Sequence, residues 1–168
     1  MRALLLALVF SCTPAMLAGD FDRDVFANEI TVENVTAAMN AYRAEAGLLP
    51  LRIDTRLTRA AEWRMQDMLD GGWWSHQSPE GTSPFVWLSA ANYRYSMAAE
   101  NLANGFETTR LMVETWMESP GHRHNILGPA YADCGIAIID GSTQGPASGK
   151  SVVVLFGRRK AETVAAKP

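Results

Sequence analysis

The sequence contains few cysteines and no excess of basic side chains. Its 168 residues include 2 cysteines, Cys12 and Cys134, which is too few for a disulfide scaffold. Lysine and arginine number 15 against 18 acidic residues, so a nucleic acid is not expected as a partner. With 48% hydrophobic residues, the chain is too apolar for a disordered protein. One domain held together by a hydrophobic core is therefore expected.

Long hydrophobic runs are also absent, since the run from Ala3 to Phe10 spans only eight residues. A transmembrane helix needs about 20 apolar residues, so no membrane span is expected. This run follows a basic N-terminus and precedes small residues, a pattern that predicts a secretory signal peptide over residues 1–18. Cleavage after Ala15 or after Ala18 is compatible with the small residues. Lipidation of Cys12 is a third alternative, because the four residues that end there resemble a bacterial lipoprotein box.

The predicted signal peptide indicates a secreted or periplasmic protein, or a lipoprotein if Cys12 is modified. Residues 19–30 mix charged and aromatic side chains without a sustained period and are predicted to form a lead-in arm. The folded domain is expected over residues 31–160, followed by a flexible tail at 161–168. A monomer is expected.

Helical periodicity follows the lead-in arm. Thr31 is predicted to cap a first helix, and Asp54 a second helix that ends at Gly71-Gly72. Ser-Pro at the start of a short apolar stretch predicts a third helix over Pro84 to Ala91. A fourth helix is predicted from Thr109 to Glu118.

In the last third of the chain the hydrophobic pattern changes from the helical period to runs typical of strands. Pro120-Gly121 is predicted to stop the fourth helix. Cys134 to Ile139 and Ser151 to Phe156 are rich in β-branched residues and predict two strands of a long hairpin, joined by a loop at 140–150. Helices first and antiparallel strands last predict an α+β domain.

Angular spacing sorts the side chains of the fourth helix. At about 100° per residue, one face is predicted to be buried, and it carries Leu111, Met112, Thr115 and Trp116. Glu114 and Glu118 lie on the opposite face and are predicted to be solvated. Ser119, one turn beyond Trp116, is predicted to point toward a cleft.

The chain has three histidines, and all lie in two short, turn-rich segments. His76 follows Trp74-Ser75, whereas His122 and His124 follow Ser119-Pro120-Gly121. Glu100 lies between these segments on a predicted strand. Histidines beside serine, proline and glycine at the ends of helices are typical of cleft walls, so two histidines and this carboxylate are expected to converge.

Three uses of such a convergence stay open at this point. Neutral imidazoles and a carboxylate can bind zinc, although 46 residues between His76 and His122 match no local ligand spacing. Glu100 could instead orient a histidine for acid–base chemistry. The third use is a polar network that only holds two loops on the core. Nucleophilic catalysis has weaker support, and Cys134 is predicted to be a small buried hydrophobe.

An ordered set of motifs resembles the CAP superfamily, which is named for cysteine-rich secretory proteins, antigen 5 and pathogenesis-related proteins, and in particular its bacterial secreted members. The set extends from about Asn40 to Gly157. Its main segments are Asn40-x-x-Arg43, Ser75-His76-x-Ser78-Pro79-x-Gly81, Glu100-Asn101-Leu102-Ala103-x-Gly105, Trp116-Met117-x-Ser119-Pro120-Gly121-His122-Arg123-x-Asn125-Ile126-Leu127 and Phe156-Gly157.

The resemblance implies a three-layer α-β-α sandwich, with a small antiparallel sheet between helices and a polar cleft. It implies that the cleft is lined by His76, Glu100, Asn101, Trp116, Ser119 and His122. His76, Glu100 and His122 are the implied candidates for catalysis or for a divalent cation such as zinc. Ser119 stands where the eukaryotic pattern has a second glutamate, so the implied site has one carboxylate fewer.

Members of this superfamily have been linked to lipid binding, metal-dependent proteolysis and envelope roles. The resemblance therefore favours a non-catalytic module of the envelope or extracellular space that binds a lipid, a small molecule or a divalent cation. A metal-dependent hydrolase that uses the His/Glu cleft is the first alternative, and an envelope scaffold is the second.

Overall fold

The computed structural model describes residues 29–141 and 149–161. These residues form five helices and four strands, and the chain enters them through Ile30, which is buried. In chain order the elements are α1 (Val32–Glu45), β1 (Arg52–Ile53), α2 (Thr55–Gly71), α3 (Val86–Ala90), β2 (Tyr95–Phe106), α4 (Thr109–Glu118), α5 (Pro120–Ile126), β3 (Asp133–Asp140) and β4 (Lys150–Arg159).

The four strands form one sheet in the order β1-β3-β4-β2. β3 and β4 are an antiparallel hairpin, and β2 pairs antiparallel with β4 and forms one edge of the sheet. Helices cover both faces, with α2 and α3 packed on one cluster of buried side chains and α1, α4 and α5 on the other. The α+β class and the three layers are confirmed.

The expectation of a purely antiparallel sheet needs a correction at β1. Arg52 and Ile53 pair in parallel with Asp133 and Cys134. Two residues are too few to carry an alternating pattern, and the segment resembles a link between helices in the sequence. Asp54 follows directly and begins α2.

The helix boundaries that depend on capping residues are confirmed. The Thr31 hydroxyl accepts a hydrogen bond from the Asn34 N–H at 3.1 Å. The Asp54 carboxylate accepts one from the Arg56 N–H at 2.9 Å. Gly72 ends α2 in the left-handed conformation, with φ 67°. These signals act within one helical turn, so they can be read directly from the sequence.

The expectations for the start of α3 and for one face of α4 were wrong, and α5 was not predicted. α3 begins at Val86 and not at Pro84. The Ser83 hydroxyl accepts a hydrogen bond from the Phe85 N–H, which forms a local turn before the helix. Pro120 stops α4 but also begins α5, as a proline at the first helical position allows. On α4, Leu111 is exposed, because the core contacts a face centred nearer Val113.

Thr115 was also predicted to be buried on α4, and it is exposed. The face that contacts the core carries Met112, Val113, Trp116 and Met117. Thr115 instead donates a hydrogen bond from its hydroxyl to the Leu111 carbonyl, one turn earlier, at 2.8 Å. The prediction of Met112 and Trp116 as core residues is confirmed.

α2 lies unusually close to the sheet. A Cβ atom on Gly135 of β3 would overlap the backbone of Leu57 and Thr58, so glycine permits this approach. Cys134, beside it, is fully buried, as predicted. Burial raises the pKa of its thiol to about 12, which keeps it protonated at neutral pH.

Several sequence predictions lie outside the described residues. These are the signal peptide at 1–18, Cys12, the lead-in arm before residue 29, the centre of the 140–150 loop and the tail after residue 161. Within residues 29–141 and 149–161, no helix is long and apolar enough to cross a membrane.

Candidate functional site

The polar residues predicted to form a cleft meet around the edge strand β2. Glu100 and Asn101 are adjacent on this strand, so their side chains point to opposite faces of the sheet. Glu100 faces the α2 layer, where it contacts Arg64 and His76. Asn101 faces the α5 layer, where it contacts His122. The site therefore joins the two helical layers at the free edge of the sheet.

Glu100 lies at the centre of a chain of three charged or titratable groups. Its Oε2 accepts a hydrogen bond from Arg64 Nε at 2.9 Å, and its Oε1 lies 2.8 Å from His76 Nδ1. The side chains of Arg64 and Glu100 are buried, whereas that of His76 is 58% exposed. A carboxylate paired with arginine accepts hydrogen bonds, so Nδ1 of His76 carries the proton. Nε2 on the exposed side of the ring is then an acceptor in the neutral imidazole.

Arg64 also holds the segment that carries His76. Its Nη2 donates to the Ser75 carbonyl at 2.6 Å, and its guanidinium lies 4.7 Å from the centre of the Trp73 ring. Asp67, one turn later on α2, is 3.6 Å from Nη1. One buried side chain therefore positions both the carboxylate and the loop that presents the histidine.

The α5 layer is connected to β2 by amide side chains. Asn101 donates to the His122 carbonyl at 3.2 Å. Asn125 donates to the Glu100 carbonyl at 3.1 Å and to the Asn101 side-chain oxygen at 2.9 Å. Trp116 is buried, and its ring lies 6.3 Å from that of His122. These contacts fix α5 against the strand.

A cavity of about 430 Å³ lies beside this network. Its walls are formed by His76, Gln77, Ser83, Pro84, Phe85, Ala98, Ala99, Glu100, Asn125 and Tyr131. His76 and Glu100, of the predicted residues, line it directly. Asn101, Trp116, Ser119 and His122 are not among its wall residues, and Ser119 is the N-cap residue of α5. His124 is exposed and does not line the cavity.

The residues present do not fit a metal site of the implied kind. Both oxygens of Glu100 are engaged, and no group of three acidic, histidine or cysteine side chains within the described residues is placed to hold an ion. The ring centres of His76 and His122 are 6.3 Å apart, whereas a tetrahedral zinc would hold them about 5 Å apart. The position of the second carboxylate is Ser119.

We therefore expect zinc at micromolar concentration to leave the melting temperature unchanged. A ligand that binds only the folded state would raise it, by linkage. The measurement is a thermal melt of the wild type and of His76→Ala, with and without Zn²⁺. A zinc-dependent rise in the wild type that is lost in the variant would contradict this reading of the geometry.

His122 gives the site a pH dependence. Burial lowers its pKa, and the neighbouring His76 lowers it further. The unfolded chain, with a histidine pKa of about 6.5, then binds the proton more tightly than the folded chain. The contribution of His122 to stability is therefore present above pH 6.5 and is lost as the pH falls from there toward the folded pKa.

We expect His122→Gln to reduce the loss of stability between pH 7.5 and 5.5, as measured by urea unfolding. His124→Gln is the matched control, because His124 is exposed on the same helix. Equal pH profiles for the wild type and His122→Gln would show that His122 does not titrate differently on folding.

Sequence reasoning missed Arg64. A signal was present, because Leu57, Ala61, Arg64 and Met68 are spaced by four, three and four residues, which places the arginine on the buried stripe of α2. A charge on such a stripe indicates a buried partner. The aromatic walls at Phe85 and Tyr131 carried no comparable signal, because aromatic side chains are common in any core.

The family model described as "Cysteine-rich secretory protein family", CAP, matches residues 36–155. The chain belongs to the CAP family. Among curated proteins, the CAP domain is 39% identical over 108 residues to the uncharacterized protein YkwD of Bacillus subtilis (strain 168), a match that covers 64% of this chain and 42% of YkwD. It is 28% identical over 99 residues to the uncharacterized membrane protein YlbC of the same strain, a match that covers 59% of this chain and 29% of YlbC. The chain thus spans less than half the length of these two relatives.

Solved structures share the CAP fold. An outer surface protein from Borrelia burgdorferi aligns with a TM-score of 0.65 at 23% identity, covering 80% of this chain and 99% of that protein. An extracellular protein containing an SCP domain from Bacillus anthracis aligns with a TM-score of 0.64 at 22% identity, covering 79% of this chain and 45% of that protein. At these identities the likeness supports the fold alone.

Proposed function

We propose that this CAP domain is an exported, non-catalytic binding module, and that its ligand occupies the cavity at the edge of β2. The observation that carries the proposal is the state of His76. Its Nδ1 is fixed by Glu100, and its ring is 58% exposed on the cavity wall. Nε2 is thereby a pre-oriented acceptor for a ligand, and a pre-oriented group loses little conformational entropy on binding.

The mixture of side chains on the wall favours a ligand with both polar and apolar groups. Gln77 and Asn125 offer amides, whereas Phe85 and Tyr131 offer aromatic surface. Such a mixture is typical of sites for small organic ligands, in which apolar walls supply affinity and a few polar groups supply orientation.

Catalysis by a metal-activated water is not favoured. Glu100 is the carboxylate on the cavity wall, and Arg64 and His76 engage both of its oxygens. A general base must lie within hydrogen-bond reach of the water, and the Glu100 side chain is only 2% exposed.

Export is proposed from two observations. The first is the signal-peptide pattern at residues 1–18. The second is that the structural relatives are described as an outer surface protein and an extracellular protein. We propose a secreted or periplasmic location, with a lipid anchor if Cys12 is modified.

The binding proposal is tested by a thermal-shift screen of the full chain against lipids, peptides and small metabolites. A ligand of the cavity is expected to raise the melting temperature of the wild type and of His124→Ala but not of His76→Ala. Isothermal titration of each hit then gives the affinity. A ligand that stabilises the wild type and His76→Ala equally would refute the role assigned to His76, and so would the lack of any stabilising compound.

A further inference from the structure

The cavity follows the edge of β2 and does not lie over a face of the sheet. Ala98, Ala99 and Glu100 all line it, and they are consecutive residues of β2. Consecutive side chains of a strand point to opposite faces, so a cavity that touches all three must lie at the strand's edge. β2 is the last strand of the order β1-β3-β4-β2, and the edge in question is the one that β4 does not occupy.

Part of this edge is protected by side chains. Asn125 donates to the Glu100 carbonyl at 3.1 Å, and Trp116 Nε1 donates to the Leu102 carbonyl at 3.0 Å. Both carbonyls therefore point away from β4. Such capping removes the backbone groups that would otherwise pair with another strand.

The side-chain caps on Glu100 and Leu102 do not extend to Ala98. The register between β2 and β4 runs without a shift from Met97 to Ala103, so the backbone groups of Ala98 point the same way as those of Glu100 and Leu102. In the described part of the chain, no side chain caps the Ala98 backbone, which faces the cavity. An N–H and a C=O at strand spacing are thus open on the wall of the proposed site.

We propose that the ligand of the cavity is an extended peptide segment that pairs with β2 at Ala98. This inference rests on the proposed function and names its ligand class. Main-chain hydrogen bonds to the strand edge supply a sequence-independent part of the affinity, and alternate side chains of the peptide enter the wall pockets. The aromatic rings of Phe85 and Tyr131 suit an apolar side chain, and Nε2 of His76 accepts from a donor on the peptide.

The probe is a library of N-acetylated, C-amidated random hexapeptides, screened against the full chain. Bound peptides are expected to slow amide hydrogen exchange at Ala98 and Glu100. Each hit is then resynthesised with one backbone amide methylated at a time. Methylation at the pairing positions is expected to weaken binding about tenfold or more, and methylation at the intervening positions, which point away from β2, is the matched control.

A second test uses Ala98→Pro, which removes the N–H in question. Proline is tolerated on an edge strand where the N–H faces outward, so the melting temperature is expected to stay near that of the wild type. Peptide affinity is expected to fall about tenfold or more. If this variant does not fold, the methylation series on the wild type still decides.

The failures of the two proposals are distinguishable. Binding that depends on His76 but is indifferent to methylation at every amide would overturn pairing with β2 and leave the binding module intact. The same holds if no hexapeptide binds while a non-peptide ligand does. Binding that is indifferent to His76→Ala would instead overturn the proposed function.

Discussion

Replacing Arg64 with methionine is expected to lower the free energy of unfolding by about 3 to 5 kcal/mol. The guanidinium is buried, is paired with Glu100 at 2.9 Å and donates to the Ser75 carbonyl at 2.6 Å. Methionine fills similar space but leaves the carboxylate without its cationic partner. Urea unfolding at pH 7 measures the change. The His76 segment also loses its anchor, so ligand binding should weaken together with stability.

Two controls separate the ion pair from simple loss of packing. Arg59→Met removes an exposed arginine from the same helix and is expected to change stability by less than about 0.5 kcal/mol. Arg64→Met combined with Glu100→Gln removes the stranded charge, so the double variant should be less destabilised than the sum of the two single variants. Strict additivity would show that Arg64 and Glu100 do not act as a pair.

Replacing Arg43 with methionine is expected to lower the free energy of unfolding by about 4 kcal/mol or more. This buried guanidinium on α1 donates to four backbone carbonyls, those of Leu49, Ile126, Gly128 and Tyr131, at 2.8 to 3.0 Å. Each acceptor left without a donor costs about 1 to 3 kcal/mol. Because Ile126 ends α5, the loss should also release the helix that carries His122.

Comparison with Arg43→Lys separates the effect of the positive charge from that of the planar guanidinium. Lysine keeps the charge but cannot reproduce the planar fork that reaches several carbonyls, so an intermediate loss is expected. Arg123→Met, at an exposed position of α5, should leave the urea midpoint nearly unchanged. A loss below about 1 kcal/mol for Arg43→Met would contradict the role of Arg43 as the connection between α1 and α5.

Local signals account for most of what the sequence predicted correctly. The caps at Thr31 and Asp54 and the left-handed glycine at Gly72 act within one turn, and the helices they delimit are where the sequence placed them. The β-branched runs of the hairpin are likewise buried, except for Ile138 and Ile139 near the end of β3, which are half-buried. The resemblance to a known family supplied the layers, and the approach of Glu100 to His76 agrees with it.

The features that were missed depend on distant contacts. β1 is a strand only because Arg52 and Ile53 find a partner 81 residues later. Pro120 was interpreted as a stop signal, yet it also begins a helix because α5 packs on β2. Arg64 was not predicted as a site residue, because charged residues on helices are usually solvated and the carboxylate that pairs with it comes from another element.

The cavity itself could not be predicted from the sequence. It exists because β2 is an edge strand, and strand order is set by pairing across the whole chain. Whether Ala98 lies on a covered or an open edge cannot be determined from neighbouring residues. The sequence therefore indicates candidate residues of the site but not the cavity beside them.

The central claim is that His76 presents Nε2 to a ligand in the cavity beside β2. The most direct test is an NMR titration that follows the ring nitrogens of the three histidines as a ligand from the thermal-shift screen is added. The account predicts that the Nε2 resonance of His76 shifts with saturation, while that of the exposed His124 stays in place. Saturation with no change at His76 Nε2 would contradict it.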